Sequence, residues 1–428
     1  MSICCFPNCA YLSETSRMVA VYRELVKQGE NPVMATHGGT YEFILKDEGI
    51  PYHIVQPYVS SARSLDYAAA SRGERGYIGM GIYESDDELR EHVRHEMEFF
   101  RANGIGCVLI GWTQSCALST RALGIPLAVT HLASMVPPAM GKMGIPIIEP
   151  YDRYIKRLVP ESFISALYHW GMRFTMLIQP FNKIAEELNV RPFTGALDLM
   201  MGDLTLVTDT PEILGVTKDA MECWKPRNPR LYSRSPRLRY VGALFARLFG
   251  GLPDDVRQFL DTPRPKIYIA LTSSRPDYVE AMYSLVKEMD VKAVLVTTVH
   301  GSRLDGTDTV MVKAHLPSHL VMPLVDCSVI HGGQGSTQTA IASGTPVVGF
   351  PFHGEQSMNL KLIENARAGY CLPLRYLKRT GLVRKHIERI LSDDSFKRNM
   401  RRLKNYQDKH NGAENAAKII KDLSRGSL

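Results

Sequence analysis

The residues most able to do chemistry lie in one glycine-rich turn. Residues 331–337 read His-Gly-Gly-Gln-Gly-Ser-Thr, between an apolar run at 325–330 and a helix-like stretch that ends at Gly344. The pattern predicts a buried parallel strand, a tight turn and the start of a helix. In such a unit, glycines let an anion approach the backbone, and the free N–H groups of the helix favour negative charge. We therefore expect a phosphate site. Its expected donors are the backbone of Gly333 and Gly335 and the side chains of His331, Ser336 and Thr337.

A second group of polar residues follows the next apolar run. Residues 346–350 predict another buried strand, which leads to Glu355 and Gln356, with Asn359 one helical turn further on. Carboxylate and amide oxygens accept hydrogen bonds from sugar hydroxyls, and amide nitrogens donate to them. These three residues therefore predict a sugar site. The alternative is that they are solvated side chains at the start of a helix.

Together the two groups form the pattern HGGxGSTxxAxxxGxPxxxxPxxxEQxxN over residues 331–359. It resembles the nucleotide-sugar signature of family 1 glycosyltransferases, the UDP-glycosyltransferase-like proteins, and in particular the bacterial antibiotic, macrolide and sterol type. The resemblance implies the GT-B fold, an α/β fold in which two Rossmann-like domains have parallel sheets that face across a cleft. It also implies an inverting, metal-independent hexosyltransferase. Its co-substrate would be a nucleotide sugar, UDP-glucose above all, with no further cofactor.

The resemblance adds donor contacts upstream of this signature. Ser273 and Ser274 follow a predicted strand at 266–271, where the family has a Gly-Ser loop that binds the diphosphate. His315 and Leu316 stand where the family has a Trp-x-Pro-Gln segment. This implies that His315 stacks on the nucleobase and that the backbone of Leu316 contacts it. The alternative for His315 is an exposed histidine in a loop.

The catalytic base departs from the pattern of many relatives, which have a histidine after the first strand and an aspartate that orients it. The histidine position falls on Glu14, and the aspartate position falls near Gly111 or Trp112, where there is no acid. A histidine base needs a partner that sets its tautomer, whereas a carboxylate does not. Glu14 is therefore a candidate general base, with its pKa raised in an apolar cleft. The alternative is that Glu14 caps the helix that follows.

Composition restricts the class of protein. The chain has 428 residues, 45% hydrophobic and 22% charged, which suits two globular domains. The net charge of +7 is diffuse, so we expect no nucleic-acid partner. No secretory leader or transmembrane segment is predicted, and eight cysteines without a CxxC pair favour reduced thiols in a cytoplasmic protein. No metal site is expected, since Asp-x-Asp is absent and His92 and His95 are predicted to be surface histidines.

Alternating strand and helix patterns must position these groups. Residues 2–55 and 266–350 alternate short apolar runs with amphipathic stretches, which predicts parallel sheets. The acceptor-binding domain is predicted at residues 1–240. The nucleotide-sugar-binding domain is predicted at residues 241–428, with a helix at about 410–428 that packs back on the first domain.

Several local predictions complete this arrangement. The helix after Glu14 is predicted at about 17–28. Residues 58–85 and 131–150 are predicted to be irregular and to line the acceptor site together with aromatic helices at 151–190. A Pro- and Arg-rich segment at 225–239 predicts the domain junction, and its arginines form either a solvated linker face or a patch for phosphate or membrane.

Three functions are open at this point. The first is transfer of a hexose from a UDP-sugar to a hydroxyl of a small, largely apolar acceptor, with a dTDP-deoxysugar as the alternative donor. The second is transfer to a lipid acceptor through a weak contact with a membrane surface. The third is a catalytically inert protein that binds nucleotide sugars, which the missing histidine and aspartate motivate. The sugar, the acceptor and the oligomeric state do not follow from the sequence.

Overall fold

The computed structural model describes residues 2–427 apart from residues 72–82, 132, 144–153, 156–157, 161–162, 165–166, 168–169, 172–174, 246–249, 272–274 and 298–303. The chain divides into two compact units. Unit 1 comprises Met1–Lys142, Glu161–Arg247 and His410–Leu428, and unit 2 comprises Met143–Pro160 and Leu248–Lys409. Each unit contains one parallel sheet with helices between its strands, which confirms the predicted α/β class.

The sheet of unit 1 has seven parallel strands among the described residues, in the order β3-β2-β1-β4-β5-β6-β7. The strands are β1 Ser2–Phe6, β2 Val33–Thr36, β3 His53–Ile54, β4 Ile105–Ile110, β5 Leu127–His131, β6 Leu204–Val207 and β7 Leu238–Tyr240. Apart from β3, whose Ile54 is exposed, the strands bury most of their apolar side chains, as in Phe6 and Leu109. Strands that are buried on both faces consist of continuous apolar runs, and for this reason they could be predicted from the sequence.

Helices connect these strands. They are α1 Leu12–Lys27, α2 Phe43–Asp47, α3 Ser61–Ser71, α4 Asp86–Ala102, α5 Cys116–Leu123, α6 Pro137–Met143, α7 Gln179–Glu187, α8 Ala196–Met200, α9 Pro211–Leu214 and α10 Lys218–Glu222. The predictions of irregular chain at 58–85 and 131–150 were wrong where α3 and α6 lie. Both helices are rich in Ala, Ser, Met or Pro and have no clear apolar stripe, so their periodicity gave no helical signal.

The Pro- and Arg-rich segment at 225–239 lies inside unit 1. Its arginines contact the body of this unit: Arg234 pairs with Asp203 at 2.5 Å, and Arg237 donates to the backbone carbonyl of Asp203 at 3.1 Å. The first unit runs on to Arg247 before unit 2 begins. These contacts give the arginines a structural role in holding β7 at the edge of the sheet.

The C-terminal helix returns to unit 1. This helix, Gly412–Ser424, packs on α1, and its Asn415 donates to the carbonyl of Val241 at 2.8 Å. The return requires a close backbone approach, because a Cβ on Gly412 would lie 2.1 Å from the carbonyl oxygen of Ala243. The last residues of the chain thus complete the first unit.

The sheet of unit 2 has six parallel strands in the described chain, in the order β10-β9-β8-β11-β12-β13. They are β8 Lys266–Ala270, β9 Lys292–Val296, β10 Val310–Lys313, β11 Cys327–Ile330, β12 Val347–Gly349 and β13 Gly369–Cys371. The helices are α11 Asp254–Leu260, α12 Pro276–Lys287, α13 Ser318–Val321, α14 Gln334–Ser343, α15 Gly354–Asn365, α16 Thr380–Ser392 and α17 Ser395–Gln407. The C-terminal helix described above is α18.

Candidate functional site

The glycine-rich turn lies where the strand order of unit 2 reverses. Strands β8 and β11 are neighbours there, and their connections leave toward opposite edges of the sheet. Ligands of open α/β sheets bind at the carboxyl ends of strands at such a point. His331 follows β11 directly, and Gly333 is the N-cap residue of α14. The first-turn N–H groups of a ten-residue helix therefore border this crevice.

Gly332 is the glycine that the turn requires. Its φ of +89° lies in the region that favours glycine, and a Cβ would lie 2.5 Å from Cγ of Leu360 and 2.8 Å from the carbonyl oxygen of Gln356. The turn can therefore pack against α15 only without a side chain here. This close packing sets where α14 begins.

The two hydroxyl residues of the turn differ in their partners. The Ser336 hydroxyl donates to the carbonyl of Gly333 at 2.9 Å. Thr337 is 4% exposed, and its Oγ1 has no hydrogen-bond partner in the described part of the chain. A buried hydroxyl without a partner is costly, so Thr337 is a donor that an anion at the helix start would satisfy.

His331 borders the same turn. Its Nδ1 lies 3.5 Å from the carbonyl oxygen of Ala270, and its Nε2 faces Gly333, where a Cβ would lie only 2.7 Å away. Burial lowers the pKa of His331, and the Ala270 carbonyl opposes this effect. The neighbouring His353 has a pKa lowered to about 4, mainly by burial and further by His331. Both rings are therefore neutral at neutral pH in the unliganded turn.

The predicted sugar residues lie on α15 and hold the turn in place. Gln356 accepts from the backbone N–H of Phe352 at 2.8 Å, and Asn359 donates to the carbonyl of Gly332 at 3.1 Å and to Glu355. Gln356 and Asn359 are 5% and 4% exposed, whereas Glu355 is half-buried. The solvated alternative does not describe the buried pair. A role in sugar binding stays a prediction for all three residues.

The structure gives fewer contacts for the remaining residues that were predicted to bind the nucleotide sugar. His315 and Leu316 lie in the loop between β10 and α13, with His315 exposed and Leu316 buried. Their contact with a nucleobase stays a prediction. Ser273 and Ser274 lie outside the described residues.

Glu14 lies in the first turn of α1, after the carboxyl end of β1. It is 5% exposed, and its Oε1 pairs with the buried guanidinium of Arg17, whereas its Oε2 has no hydrogen-bond partner among the residues described. Burial raises the pKa of Glu14, and the charge of Arg17 and the backbone N–H of Trp112 oppose this effect. Arg17 thus orients a carboxylate with one oxygen left for a ligand.

The helix start does not support the capping alternative. Helix α1 begins at Leu12 and not near residue 17, so Glu14 lies within its first turn, and Tyr11 is the N-cap residue. The described hydrogen bonds of the Glu14 carboxylate include no capping bond to this helix start. Glu14 as the general base stays a prediction. The i,i+3 spacing of Glu14 and Arg17 was the sequence signal for their pairing.

Gly111 makes room for the Glu14 carboxylate. It follows β4, which neighbours β1 at the strand-order reversal of unit 1. A Cβ on Gly111 would lie 1.4 Å from Oε2 of Glu14 and 2.4 Å from its Cδ. The family's aspartate would fall at this place or at Trp112. An acid on Gly111 and the carboxylate of Glu14 in its present position therefore exclude each other.

A buried polar network beside this site was missed from the sequence. Both ring nitrogens of His37 face oxygens at 2.9 Å: Nδ1 the carbonyl of Val55, and Nε2 the carboxylate of Glu96. Ser115 and Ser119 donate to the two oxygens of the same carboxylate at 2.5 and 2.7 Å. Both ring nitrogens of His37 and both carboxylate oxygens of Glu96 therefore have partners, and the network ties β2 to α4 and α5. Only the fold brings these residues together.

His92 corrects a second prediction. It was expected at the surface, but it is 2% exposed and packs against His37 with a ring-centroid distance of 4.3 Å. Burial, with the charge of His37, lowers the pKa of His92 to about 4. Its Nδ1 lies 2.8 Å from the carbonyl of Glu88 in the same helix. The exposed face of α4 includes instead positions such as Glu91 and Arg94. The buried stripe of this helix is wider than the spacing of its Leu and Val residues suggested.

Residues 302–411, which include the turn and α15, match the family model of UDP-glucoronosyl and UDP-glucosyl transferase. The chain is similar to this family over these residues, and its two Rossmann-like units have the GT-B fold that the signature predicted. The fold agrees with that of the solved structure of glycosyltransferase VinC in complex with DTDP. Its TM-score is 0.67 with 16% identity, and the alignment covers 100% of both chains.

Two of the curated relatives come from mycobacteria. A PGL/p-HBAD biosynthesis glycosyltransferase of Mycobacterium tuberculosis is 25% identical over 297 residues, 68% of this chain and 64% of the relative. A PGL/p-HBAD biosynthesis rhamnosyltransferase of Mycobacterium bovis is 23% identical over 308 residues, 71% of this chain and 64% of the relative. The chain thus spans just under two thirds of the length of these relatives.

Three further findings concern the described residues as a whole. No helix among them has both the length and the apolar character needed to cross a membrane. Within the same residues, no three His, Cys, Asp or Glu side chains are grouped so that they could hold a metal ion. The cysteines described are all free thiols, and Cys223 alone of them is exposed.

Proposed function

We propose that this protein is an inverting glycosyltransferase that moves a hexose from a nucleotide sugar to a hydroxyl of a small, largely apolar acceptor. The observation that carries the proposal is the turn in unit 2. There a glycine-capped helix start, the unpartnered Oγ1 of Thr337 and the neutral His331 border one crevice. A diphosphate supplies the negative charge and acceptor oxygens that these groups lack.

In the proposed reaction, each unit has a distinct task. The turn in unit 2 binds the diphosphate and stabilises the charge that grows on its oxygen as the bond to the sugar breaks. In unit 1, Oε2 of Glu14 takes the proton of the acceptor hydroxyl while that oxygen bonds to the anomeric carbon. Attack from the side opposite the diphosphate inverts the configuration. The carboxylate that Arg17 orients favours this enzyme over an inert binding protein.

UDP-glucose is the donor that we propose first, because the acidic-Gln pair at Glu355 and Gln356 accompanies hexose donors in the family. A dTDP-sugar is the alternative donor. It is favoured by the likeness to a structure in complex with DTDP and by the rhamnosyltransferase among the relatives. We propose that the reaction needs no metal, since the side chains and backbone of the turn supply the charge stabilisation.

A thermal-shift screen of UDP- and dTDP-sugars tests donor binding. At 100 times its Kd, a bound donor stabilises the protein by about 2.7 kcal/mol. The variant that tests the turn is Thr337→Val, which keeps the shape of the side chain and removes the hydroxyl that has no partner among the described residues. We expect this variant to keep the melting temperature of the free protein and to bind the donor about tenfold more weakly. If no UDP- or dTDP-sugar shifts the melting temperature, the proposed function is wrong.

Donor binding is expected to depend on pH through His331. A bound diphosphate favours the imidazolium, so it raises the pKa of His331, which burial lowers in the free protein. Affinity for UDP-glucose therefore increases as the pH falls through the pKa of the bound form. Calorimetry in two buffers with different ionisation enthalpies should show proton uptake on binding. His331→Asn should abolish that uptake, and uptake that persists in this variant would assign the proton to another group.

A further inference from the structure

The pocket beside Glu14 contains a second group without a partner. It lies in unit 1 at the carboxyl ends of β4 and β5, and it is lined by Glu14, Gly111, Gln114, Leu199, Met200 and their neighbours. Gln114 is 2% exposed, and neither its Oε1 nor its Nε2 has a hydrogen-bond partner among the described residues. Oε2 of Glu14 lines the same pocket without a partner there. Three buried polar atoms of two residues thus border one small space.

Buried polar groups in native proteins are almost always hydrogen-bonded, and exceptions call for an explanation such as a ligand. A carboxylate oxygen can only accept, whereas the Gln114 amide can donate through Nε2 or accept through Oε1. A group that satisfies both Oε2 of Glu14 and Nε2 of Gln114 must donate one proton and accept another. The free volume of the pocket is about 10 Å³, which is room for about one oxygen atom the size of water.

The charge of Glu14 and the apolar lining of the pocket restrict further which chemical group can bind there. The Glu14 carboxylate repels an anion, and Ile110, Leu199 and Met200 give the walls apolar surface. An isolated ammonium or a large polar group would lose its hydration without enough partners. A hydroxyl on an apolar framework meets these conditions, because its proton and its lone pair each find a partner while the framework contacts the apolar walls.

We propose that Gln114 and Glu14 together bind the reacting hydroxyl of an alcohol or phenol. This inference rests on the proposed function and deepens it. Nε2 of Gln114 donates to a lone pair of the hydroxyl oxygen, and the hydroxyl donates to Oε2 of Glu14, which selects an oxygen that carries a proton. The second lone pair is thereby left for the attack on the sugar. Gln114 binds the acceptor and positions its oxygen, and no sequence motif marks it.

The test is Gln114→Met, which keeps the length of the side chain and removes both polar atoms. We expect the melting temperature to stay the same or rise, because the unpartnered amide is removed. We expect KM for the acceptor to rise by about tenfold or more, the effect of about one lost hydrogen bond, with KM for the donor unchanged. A lower melting temperature with an unchanged acceptor KM would overturn the proposal, since it would give Gln114 a structural role.

The same substitution at Gln407 is the matched control. Gln407 is 5% exposed on α17, and its Nε2 donates to the carbonyl of Gln338 at 3.2 Å. Gln407→Met removes this hydrogen bond together with Oε1, which has no hydrogen-bond partner among the described residues, and it should leave both KM values unchanged.

A binding experiment tests this inference separately from the proposed function. Phenol and anisole differ by the hydroxyl proton, and their affinities for the protein can be compared by ligand-observed NMR. We expect the wild type to bind phenol about tenfold more tightly than anisole, because only phenol can donate to Glu14, and we expect Gln114→Met to bind phenol about tenfold more weakly than the wild type does. If no acceptor is ever glycosylated, the proposed function is wrong. The preference for phenol over anisole still tests whether the pocket binds a hydroxyl. Equal binding of phenol and anisole by the wild type would mean that the pocket holds only a water molecule, which overturns the inference.

Discussion

Glu14→Gln should reduce sugar transfer by about 10²- to 10⁴-fold, the usual contribution of a general base. The amide keeps the size of the side chain but cannot take the proton of the acceptor hydroxyl. Binding of the donor should be unchanged, because the turn that we propose for the diphosphate lies in unit 2. Steady-state kinetics with acceptor and donor varied separately, together with the thermal shift by UDP-glucose, measure both quantities. Transfer at the wild-type rate in this variant would show that Glu14 is not the base.

The control for this result concerns the buried charge of Arg17. Neutralising Glu14 leaves this guanidinium without its paired carboxylate, and such a loss can cost about 3–5 kcal/mol of stability. Glu14→Asp keeps the negative charge beside Arg17 and withdraws the carboxylate by one methylene. We expect it to fold like the wild type and still to lose most of its activity, because the oxygen no longer reaches the pocket.

The pH profile gives an independent readout of the same residue. A base must be ionised, so the rate rises with pH through the pKa of Glu14. Burial raises that pKa above the ordinary value of a glutamate, against the opposing charge of Arg17. The acid limb of the wild-type profile should therefore lie at higher pH than an exposed glutamate would give, and it should be absent from the residual activity of Glu14→Gln.

Gly111→Ala is expected to have the second largest effect, a loss of about 100-fold in kcat. The added methyl would overlap with Oε2 of Glu14, at 1.4 Å, so the carboxylate must rotate out of the position where Arg17 holds it. A displacement of about 1 Å at a reacting group can cost about 100-fold. Overpacking of this kind costs about 1–3 kcal/mol of stability, which denaturant unfolding measures. An active Gly111→Ala protein would show that the Glu14 carboxylate is not confined to this position.

Two comparisons show whether Gly111→Ala acts through Glu14. In the Glu14→Gln background, Gly111→Ala should reduce the rate little further, because residues that act on one another are not additive. Gly141→Ala, an exposed glycine of α6 with no described atom within 4 Å of an added Cβ, should leave both rate and stability unchanged. Additive losses in the double variant would assign Gly111 an effect separate from the base.

Local patterns predicted most of the fold. The runs predicted as strands at 266–271, 325–330 and 346–350 contain β8, β11 and β12, whereas β13 was not predicted. An apolar run between turn residues is a local signal, and a parallel strand needs nothing more to be recognised. Helices without a sharp apolar stripe, such as α3, gave no such signal and were predicted as irregular chain.

Helix boundaries near the sites were less predictable. Helix α1 begins at Leu12 and α14 at Gln334, each several residues before the predicted start. Polar and glycine residues at these starts are typical of turns, but in both helices they form the first turn. The physical reason is that the carboxyl end of the preceding strand fixes where the chain must turn into the helix.

The sequence by itself determined the α/β class, the glycosyltransferase signature and the turn at His331–Thr337. Strand, glycine turn and helix follow one another in the chain, so their hydrogen bonds and dipole are local properties. Only the tertiary structure decided that Gly111 leaves the space that the Glu14 carboxylate fills, that Gln114 shares this pocket, and that Glu96 holds His37. Strands β1 and β4 are far apart in sequence but adjacent in the sheet, so side chains at their carboxyl ends meet only after the crossover connections have formed.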